Sequence, residues 1–468
     1  MDWPVGSVPT NAKGTSRSMV DKFDLLCIVG LILSFLLVSR LPAAPSKFGD
    51  IYFHDEAKAV AHALRGAGPW SEVAFARAPG PALYYAVPYL FVSPSAPDGV
   101  YWRAALLWNG LWMAMAILLN RRAGEHLHGD LAGKIAAIIS LVLPLGVYYS
   151  FGVAAETPAY VATVVFVFGW AYWRAGRDTA LLSRGALVAL FGLFGLILCR
   201  PNALIISGIA GLAFAAMLLQ REVPYTTAEK RFAAAGAVAG IAILFFVSAT
   251  LKEISGKRGV STQASNFDTT LFLSNFQFRT EPFDWRFWGK GTRQGSADYQ
   301  NYARTQKELE QESMQAGVPV SHLQVEWTRR DVAEHPWLHI KMTAVRALSL
   351  NIWLVNSTRP SAFHLGPFRG VAAYFTFHIL LNIVVLTPLF LSFAFLATNR
   401  EEFFAYWPLW GLWLGLLVFH AVTYAEPRYM LPAQPGLAVM AACMLARRRD
   451  VLPGSVPLSA RGSELLCP

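Results

Sequence analysis

The chain has 468 residues, of which 54% are apolar and 15% charged, where an ordinary soluble protein carries about a quarter charged. The apolar residues come in long uninterrupted blocks, which excludes a disordered chain and argues against a soluble multidomain enzyme. Lys plus Arg exceed Asp plus Glu by 40 to 30, but the excess sits at block ends and forms no basic stripe, so nucleic acid is not an expected partner.

Residues 1–24 are polar and carry Lys13, Arg17 and Lys22 ahead of the first apolar run, 25–38. That run reads either as a signal peptide, with Leu41-Pro42-Ala43-Ala44 as its small-residue site, or as an uncleaved first span, which the many later spans favour. Further runs follow at about 101–119, 135–150, 159–173, 187–199, 203–219, 232–251, 371–396, 403–424 and 429–446. Each approaches the roughly 20 residues needed to cross about 30 Å of hydrocarbon, so about ten transmembrane helices are expected.

If the spans alternate, Arg121, Arg122, Arg174, Arg177, Lys230, Arg231 and the Arg447-Arg448-Arg449 cluster share one side, which makes that side the cytoplasm. The other face then receives the first outer loop (41–100), a tight turn at Glu156 and a long region, 252–370. The region holds helix-like patches at 298–315 and 321–334 and an aromatic group at Phe276, Phe278, Phe283, Trp285, Phe287 and Trp288. The stretch 337–355 is apolar but interrupted by His339, Lys341 and Arg346. Burying such charges at mid-bilayer costs about 2.5 to 3.5 kcal/mol each on the insertion scale, so it reads as an interfacial helix on the outer face. The expected organisation is a cytoplasmic segment (1–24), an N-terminal transmembrane module (25–251), an extracytoplasmic region (252–370), C-terminal transmembrane helices (371–446) and a cytoplasmic tail (447–468).

Charge is scarce enough for each isolated case to be weighed. In the first outer loop, Asp55 and Glu56 follow His54; two adjacent carboxylates could take a proton from a hydroxyl or hold a cation, or be a solvated helix start. Glu156 is the only acid between Asp130 and Asp178, and a carboxylate between two apolar runs is expensive unless it has work or a partner; capping beside Pro158 is the plainer reading. Arg200 is the only charge between Arg184 and Arg221 and either snorkels to the headgroups or offers its planar fork to a phosphate. Glu426 and Arg428 are the only acid and arginine between Glu402 and Arg447, and an internal pair would account for both. His378 and Asn382, four residues apart, suit interhelical hydrogen bonds. Cys27, Cys199 and Cys443 lie in or beside apolar blocks and define no disulfide framework. The sequence has no metal-ligand spacing, nucleophile elbow or phosphate-cradling glycine loop.

In order along the chain, several motifs resemble those of the C-type (GT-C) glycosyltransferases, in the bacterial branch of protein mannosyltransferase-like, aminoarabinose transferase-like and rhizobial lipopolysaccharide sugar transferase-like proteins. They are Asp55-Glu56 after one span, the segment from Pro79 to Tyr84 and Tyr85, Tyr149-Ser150 with Glu156, Arg200-Pro201 opening a later span, and Arg428-Tyr429 through Pro432 near the last. The chain departs from the pattern where Gly80 splits the proline pair, where Ala57-Lys58 follow the acids and where the second acid is Glu.

The resemblance implies an all-α polytopic membrane protein with a GT-C-like bundle and outer-face juxtamembrane helices. It would be a transferase of the cytoplasmic (inner) membrane, acting at the extracytoplasmic face on a polyprenyl-phosphate-linked sugar donor and a glycan, lipid or protein acceptor. The implied displacement inverts the anomeric carbon, with Asp55 as base, Glu56 and Glu156 shaping the acceptor site, and Arg200 and Arg428 on the donor phosphate. His54, Tyr84, Tyr85, Tyr149, Glu426 and Tyr429 fall at substrate-binding positions. No cofactor is implied, and metal use varies within the class, so none is assigned. A lipid or solute transporter is a competing reading, although no internal repeat supports it; a third is an inactive partner that kept the fold.

Overall fold

A computed structural model describes residues 21–39, 51–70, 73, 75, 79–143, 150–175, 184–199, 270–280, 296–352, 364–365 and 368–451. The expected spans at 203–219 and 232–251, together with Tyr149 and Arg200, lie outside the described residues. The described chain is almost wholly helical, with one two-stranded antiparallel ladder, β1 (His364–Leu365) and β2 (Phe368–Arg369). By length and composition, three of its helices could cross a membrane, Asp98–Val142, Gly370–Thr398 and Arg428–Arg447, and two shorter ones, Arg184–Cys199 and Trp407–Val422, are equally apolar in character.

Helix α1 (Lys22–Ser39) buries Cys27, Leu31 and Phe35, four residues apart and therefore on one face, while Leu25, Leu26, Ile32 and Leu33 stay exposed. Within the first outer loop lie α2 (Ile51–Leu64) and α3 (Pro79–Tyr89), packed on each other. Helix α4 (Asp98–Val142) takes in two of the expected spans and their connection. It is a hairpin and not a rod: Gly129 has φ +80°, and a Cβ on Gly124 would lie 2.8 Å from the Ala132 carbonyl oxygen. The Asn120 amide also reaches Ser140 Oγ at 2.9 Å, a contact that 20 residues of straight helix, about 30 Å long, would forbid. The left-handed glycine is what allows the reversal.

At that reversal Arg121 is buried and bonds Asp21 at 2.6 and 2.8 Å, Asp24, Glu125 at 2.8 Å and Asp130 at 3.3 Å. One guanidinium therefore ties the head of α1 to both arms of the hairpin. Helix α5 (Glu156–Ala175) and α6 (Arg184–Cys199) then pack along one another at the closest approach in the described chain. Gly169 meets the Ala189 backbone and Gly192 the Phe166 backbone, so a Cβ at either would collide with main chain.

The outer region supplies α7 (Ala297–Ala316), capped by the Ser296 hydroxyl accepting from the Tyr299 amide at 3.1 Å, α8 (Val320–Glu334) and α9 (Pro336–Ser349). These coincide with the helix-like patches of the sequence. Helix α9 exposes Trp337, Ile340 and Leu348, as an interfacial helix would, but it ends earlier than expected and turns Arg346 inward instead of toward headgroups.

Helix α10 (Gly370–Thr398) exposes Val371, Phe375, Ile379 and Ile383, an apolar face with a four-residue repeat. His378 and Asn382 bond back along it, to the carbonyls of Tyr374 and His378, each at 2.7 Å. The expected run 403–424 narrows to α11 (Trp407–Val422), preceded by a 3-10 turn, Arg400–Glu402, because Pro408 is accommodated only in a first helical turn. The final run opens as a 3-10 segment, Pro427–Ala433, before α12 (Gln434–Val451). Toward the C-terminal end of α5 the helices meet in a core that includes Trp170, Phe395, Tyr406, Met440 and Cys443.

Gly192→Leu should test the α5–α6 contact. It forces a side chain into backbone and is expected to cost about 1–3 kcal/mol, read as a lower melting temperature of the detergent-solubilised protein. Wild-type melting would show that α6 can shift away.

Candidate functional site

The site is assembled at the end of the molecule where α5 begins, and its foundation is the irregular chain before that helix. Asn109 of α4 donates to the carbonyls of Ser150 at 2.8 Å and Gly152 at 3.0 Å. From the other side, the Tyr85 hydroxyl of α3 lies 3.1 Å from both the nitrogen and the oxygen of Ala154 and 3.2 Å from the Gly152 oxygen. Backbone that cannot pair in a helix is thus satisfied by two buried side chains from elements read far apart in sequence. Burial raises the Tyr85 phenol well above the usual tyrosine range, so it remains protonated and able to donate.

The turn delivers Glu156 at the first position of α5, buried, with its Oε1 3.8 Å from Arg428 Nε. Arg428 also makes a close ion pair with the buried Glu426. The internal Glu426–Arg428 pair read from the sequence is therefore present, and Glu156 joins it. The Arg428 side chain is 39% exposed, so the cation shared by two carboxylates can still be reached from outside. Its guanidinium lies 5.4 Å from the centre of the Tyr429 ring, and His420 stacks on that ring at 4.3 Å. Beneath these groups Ala159, Cys199, Leu412, Ala425 and Met430 form one buried cluster.

Asp55, Glu56 and His54 occupy α2. Asp55 is exposed, Glu56 is buried, and His54 is buried with its Nδ1 2.8 Å from the Tyr89 hydroxyl and its Nε2 3.6 Å from the Asp98 carboxylate. Lys58 holds the same Asp98 at 2.7 Å. Phe53 and Ala57 of α2 share a buried cluster with Tyr85, Val153 and Ala155, so the first acidic motif and the Glu156 turn stand at the same end of the molecule. Tyr84 lies against Tyr85, Trp108 and Trp112, with ring centres 4.9, 6.0 and 6.5 Å away. A Cβ on Gly80 would come within 2.6 Å of the Leu198 carbonyl and 2.7 Å of the Cys199 nitrogen, so the glycine that splits the motif's proline pair is required for α3 to dock on the end of α6.

Of the residues singled out in the sequence, Glu156, Glu426, Arg428 and Tyr429 are brought together, and Tyr85 supports them. His54 is buried against Tyr89, with its Nε2 3.6 Å from the exposed carboxylate of Asp98. Asn109 and His420 escaped the sequence reading, although each is a lone polar residue in an apolar run. Among the described residues, no three of His, Cys, Asp and Glu gather closely enough to hold a metal ion.

No protein-family model matches the chain, and no curated protein matches it in sequence. Two solved structures of oligosaccharyltransferase from Archaeoglobus fulgidus superpose on it, one tethered to an acceptor peptide containing the NVT sequon, the other (AglB) in complex with an inhibitory peptide and a dolichol-phosphate. Each is 12% identical with a TM-score of 0.46, covering 92% of this chain and 50% of its own. The chain therefore spans about half the length of those proteins, and the likeness is one of loose helical outline.

Burial lowers the His54 imidazole below its ordinary 6.5, against the pull of Asp98 and Asp55, so the folded state holds it neutral. Its contribution is whole above 6.5 and is lost as pH falls below that value, where the unfolded chain binds the proton more readily. Between pH 7 and 5 the melting temperature should fall further for the wild type than for His54→Gln, which keeps a polar group beside Tyr89. Parallel curves would remove His54 as the source of the difference.

Proposed function

We propose that the protein is a membrane glycosyltransferase of the GT-C type that moves a sugar from a polyprenyl-phosphate carrier to an acceptor hydroxyl at the outer face of the cytoplasmic membrane. The observation that carries the reading is the convergence of Glu156, Glu426 and Arg428 on one half-exposed guanidinium, at the end where α2 presents Asp55 and Glu56. Isolated acids at the surface of a bilayer are costly, and here Glu156 and Glu426 share one arginine.

The chemistry follows from what such groups can do. A carboxylate takes the proton of the acceptor hydroxyl as its oxygen bonds to the anomeric carbon. The bond from that carbon to the carrier's phosphate oxygen breaks on the opposite side, and the electron pair leaves with the phosphate. Asp55 is assigned as the base, being the exposed carboxylate of the pair on α2. Glu56 and Glu156 shape the acceptor side. Arg428, with Arg200, meets the charge growing on the leaving phosphate. For Arg428 this requires the phosphate to take over part of the pairing now made by Glu426 and Glu156, so donor binding is expected to loosen that ion group. Tyr84 and Tyr429 are assigned to substrate contact, whereas His54 and Tyr85 act by holding α2 and the Glu156 turn.

Transfer from a polyprenyl-phosphate sugar to acceptor, measured with purified protein, tests the assignment. Asp55→Asn should lower the rate about a hundredfold or more, the usual loss with a general base, and Glu156→Gln should also impair it, both with wild-type yields in the membrane. Wild-type turnover in Asp55→Asn would remove it as base, and no transfer by the wild type with any such donor would favour a transporter or inactive partner.

A further inference from the structure

Between α11 and the 3-10 segment that holds Arg428, residues 423–426 belong to no helix, and Glu426 is extended with φ −133° and ψ 132°. All four are buried; the Thr423 amide donates to the Phe419 carbonyl at 3.0 Å and the Glu426 carbonyl accepts from the Tyr429 amide at 2.9 Å, and groups between them are met from elsewhere. Gln277 supplies two: its Nε2 donates to the Ala425 carbonyl at 2.8 Å, and its Oε1 accepts from the Ala425 amide at 2.9 Å. The carboxamide makes both bonds at once, its NH2 donating while its oxygen accepts. Arg346 of α9 supplies the next, donating from Nε to the Ala421 carbonyl at 2.5 Å and from Nη1 to the Ser274 carbonyl at 2.7 Å. Its Nη2 donates to Thr343 Oγ1 at 3.0 Å, and burial lowers the guanidinium to about 10, which leaves it charged at neutral pH.

The segment 270–280 that carries Gln277 and Ser274 is fastened to the outer helices. Asn275 donates to Thr328 of α8 at 2.8 Å, and Arg279 makes a fork to Asp331 at 2.6 and 2.9 Å. Asp298 of α7 accepts from the amides of Arg279 and Thr280 at 3.0 and 2.9 Å. Phe278, next to Gln277, is buried in a left-handed conformation with φ +66°, which a bulky side chain adopts only where its surroundings impose it.

We propose that Gln277 and Arg346 are positioning residues that fix the 421–426 chain, and so hold Glu426 and Arg428 in register with Glu156, transmitting the placement of the outer helices to the site. The role of the site rests on the function proposed above; the positioning itself does not.

Two measurements need no transfer activity. In the wild type, hydrogen–deuterium exchange over 423–426 should be as slow as inside α11, and exchange as fast as in the exposed end of α7 would overturn the proposal. With the four native cysteines replaced by serine, the pair Glu156→Cys and Arg428→Cys should cross-link readily with a short bifunctional thiol reagent. Adding Gln277→Glu, which keeps the shape but loses the donor, should slow that reaction about tenfold, the equivalent of a lost buried hydrogen bond. If that variant does not fold, Gln277→Met and Arg346→Lys take its place. Unchanged cross-linking in a folded variant would reduce Gln277 to a packing residue. In the transfer assay, Gln277→Glu should lower kcat with little change in acceptor KM. If no polyprenyl-phosphate sugar is accepted, the exchange and cross-linking results still stand, so the two readings fail separately.

Discussion

A carboxylate buried inside a protein must be met by a cation, and here that demand falls on Glu156 and is answered by Arg428. The pair is made by residues on opposite halves of the chain. Glu156 has to be lifted to the head of α5 by a turn that Asn109 and Tyr85 hold, and Arg428 has to be brought down beside it by a segment that Gln277 and Arg346 hold. Helix packing places the two ends near each other; the hydrogen bonds to irregular backbone set their spacing.

The molecule answers the same physical problem at its other end in a different way. Arg121 is buried among Asp21, Asp24, Glu125 and Asp130, where it joins α1 to the hairpin of α4. There the Arg121 guanidinium is enclosed by the acids around it, two of which Arg122 and Lys134 also pair, and only 3% of its side chain is exposed, so its work is structural. At the outer site the cation is 39% exposed and its partners are buried behind it. An enclosed charge fixes a fold, whereas a charge with one open side can exchange a partner for a ligand.

The outer helices α7, α8 and α9 stand in between. Helix α7 is strongly polar along its length, yet Leu309 of α7 and Leu323 of α8 share a buried cluster with Phe272, Phe276 and Tyr424 of the chain leading to the site, and Trp327 packs against it. Asp331 is the hinge of this attachment. Burial would raise its pKa, but His339 and Arg279 hold it well below the usual carboxylate range, so it stays ionised and keeps both partners.

Much of this was legible in the sequence for one reason: membrane helices announce themselves by length and hydropathy, and charges among them are few enough to be examined singly. Helices α1, α4, α5, α6, α10, α11 and α12 fall on the apolar runs, whereas α2 and α3 lie in a stretch read only as a loop, and Glu156, Glu426 and Arg428 stood out by isolation alone. What the sequence could not disclose was pairing across distance. Nothing local distinguishes Arg346, which reads as an interfacial charge, from an arginine that reaches two carbonyls more than 70 residues away. Gln277 is an ordinary amide until Ala425 is beside it. His54, placed among the substrate-binding positions by the resemblance alone, has its ring against Tyr89 and near Asp98, partners that no local pattern announces. Periodicity and composition are properties of neighbours along the chain, so they determine which segments are helices; which buried backbone groups lack partners, and which side chains must supply them, is decided only when distant segments pack together.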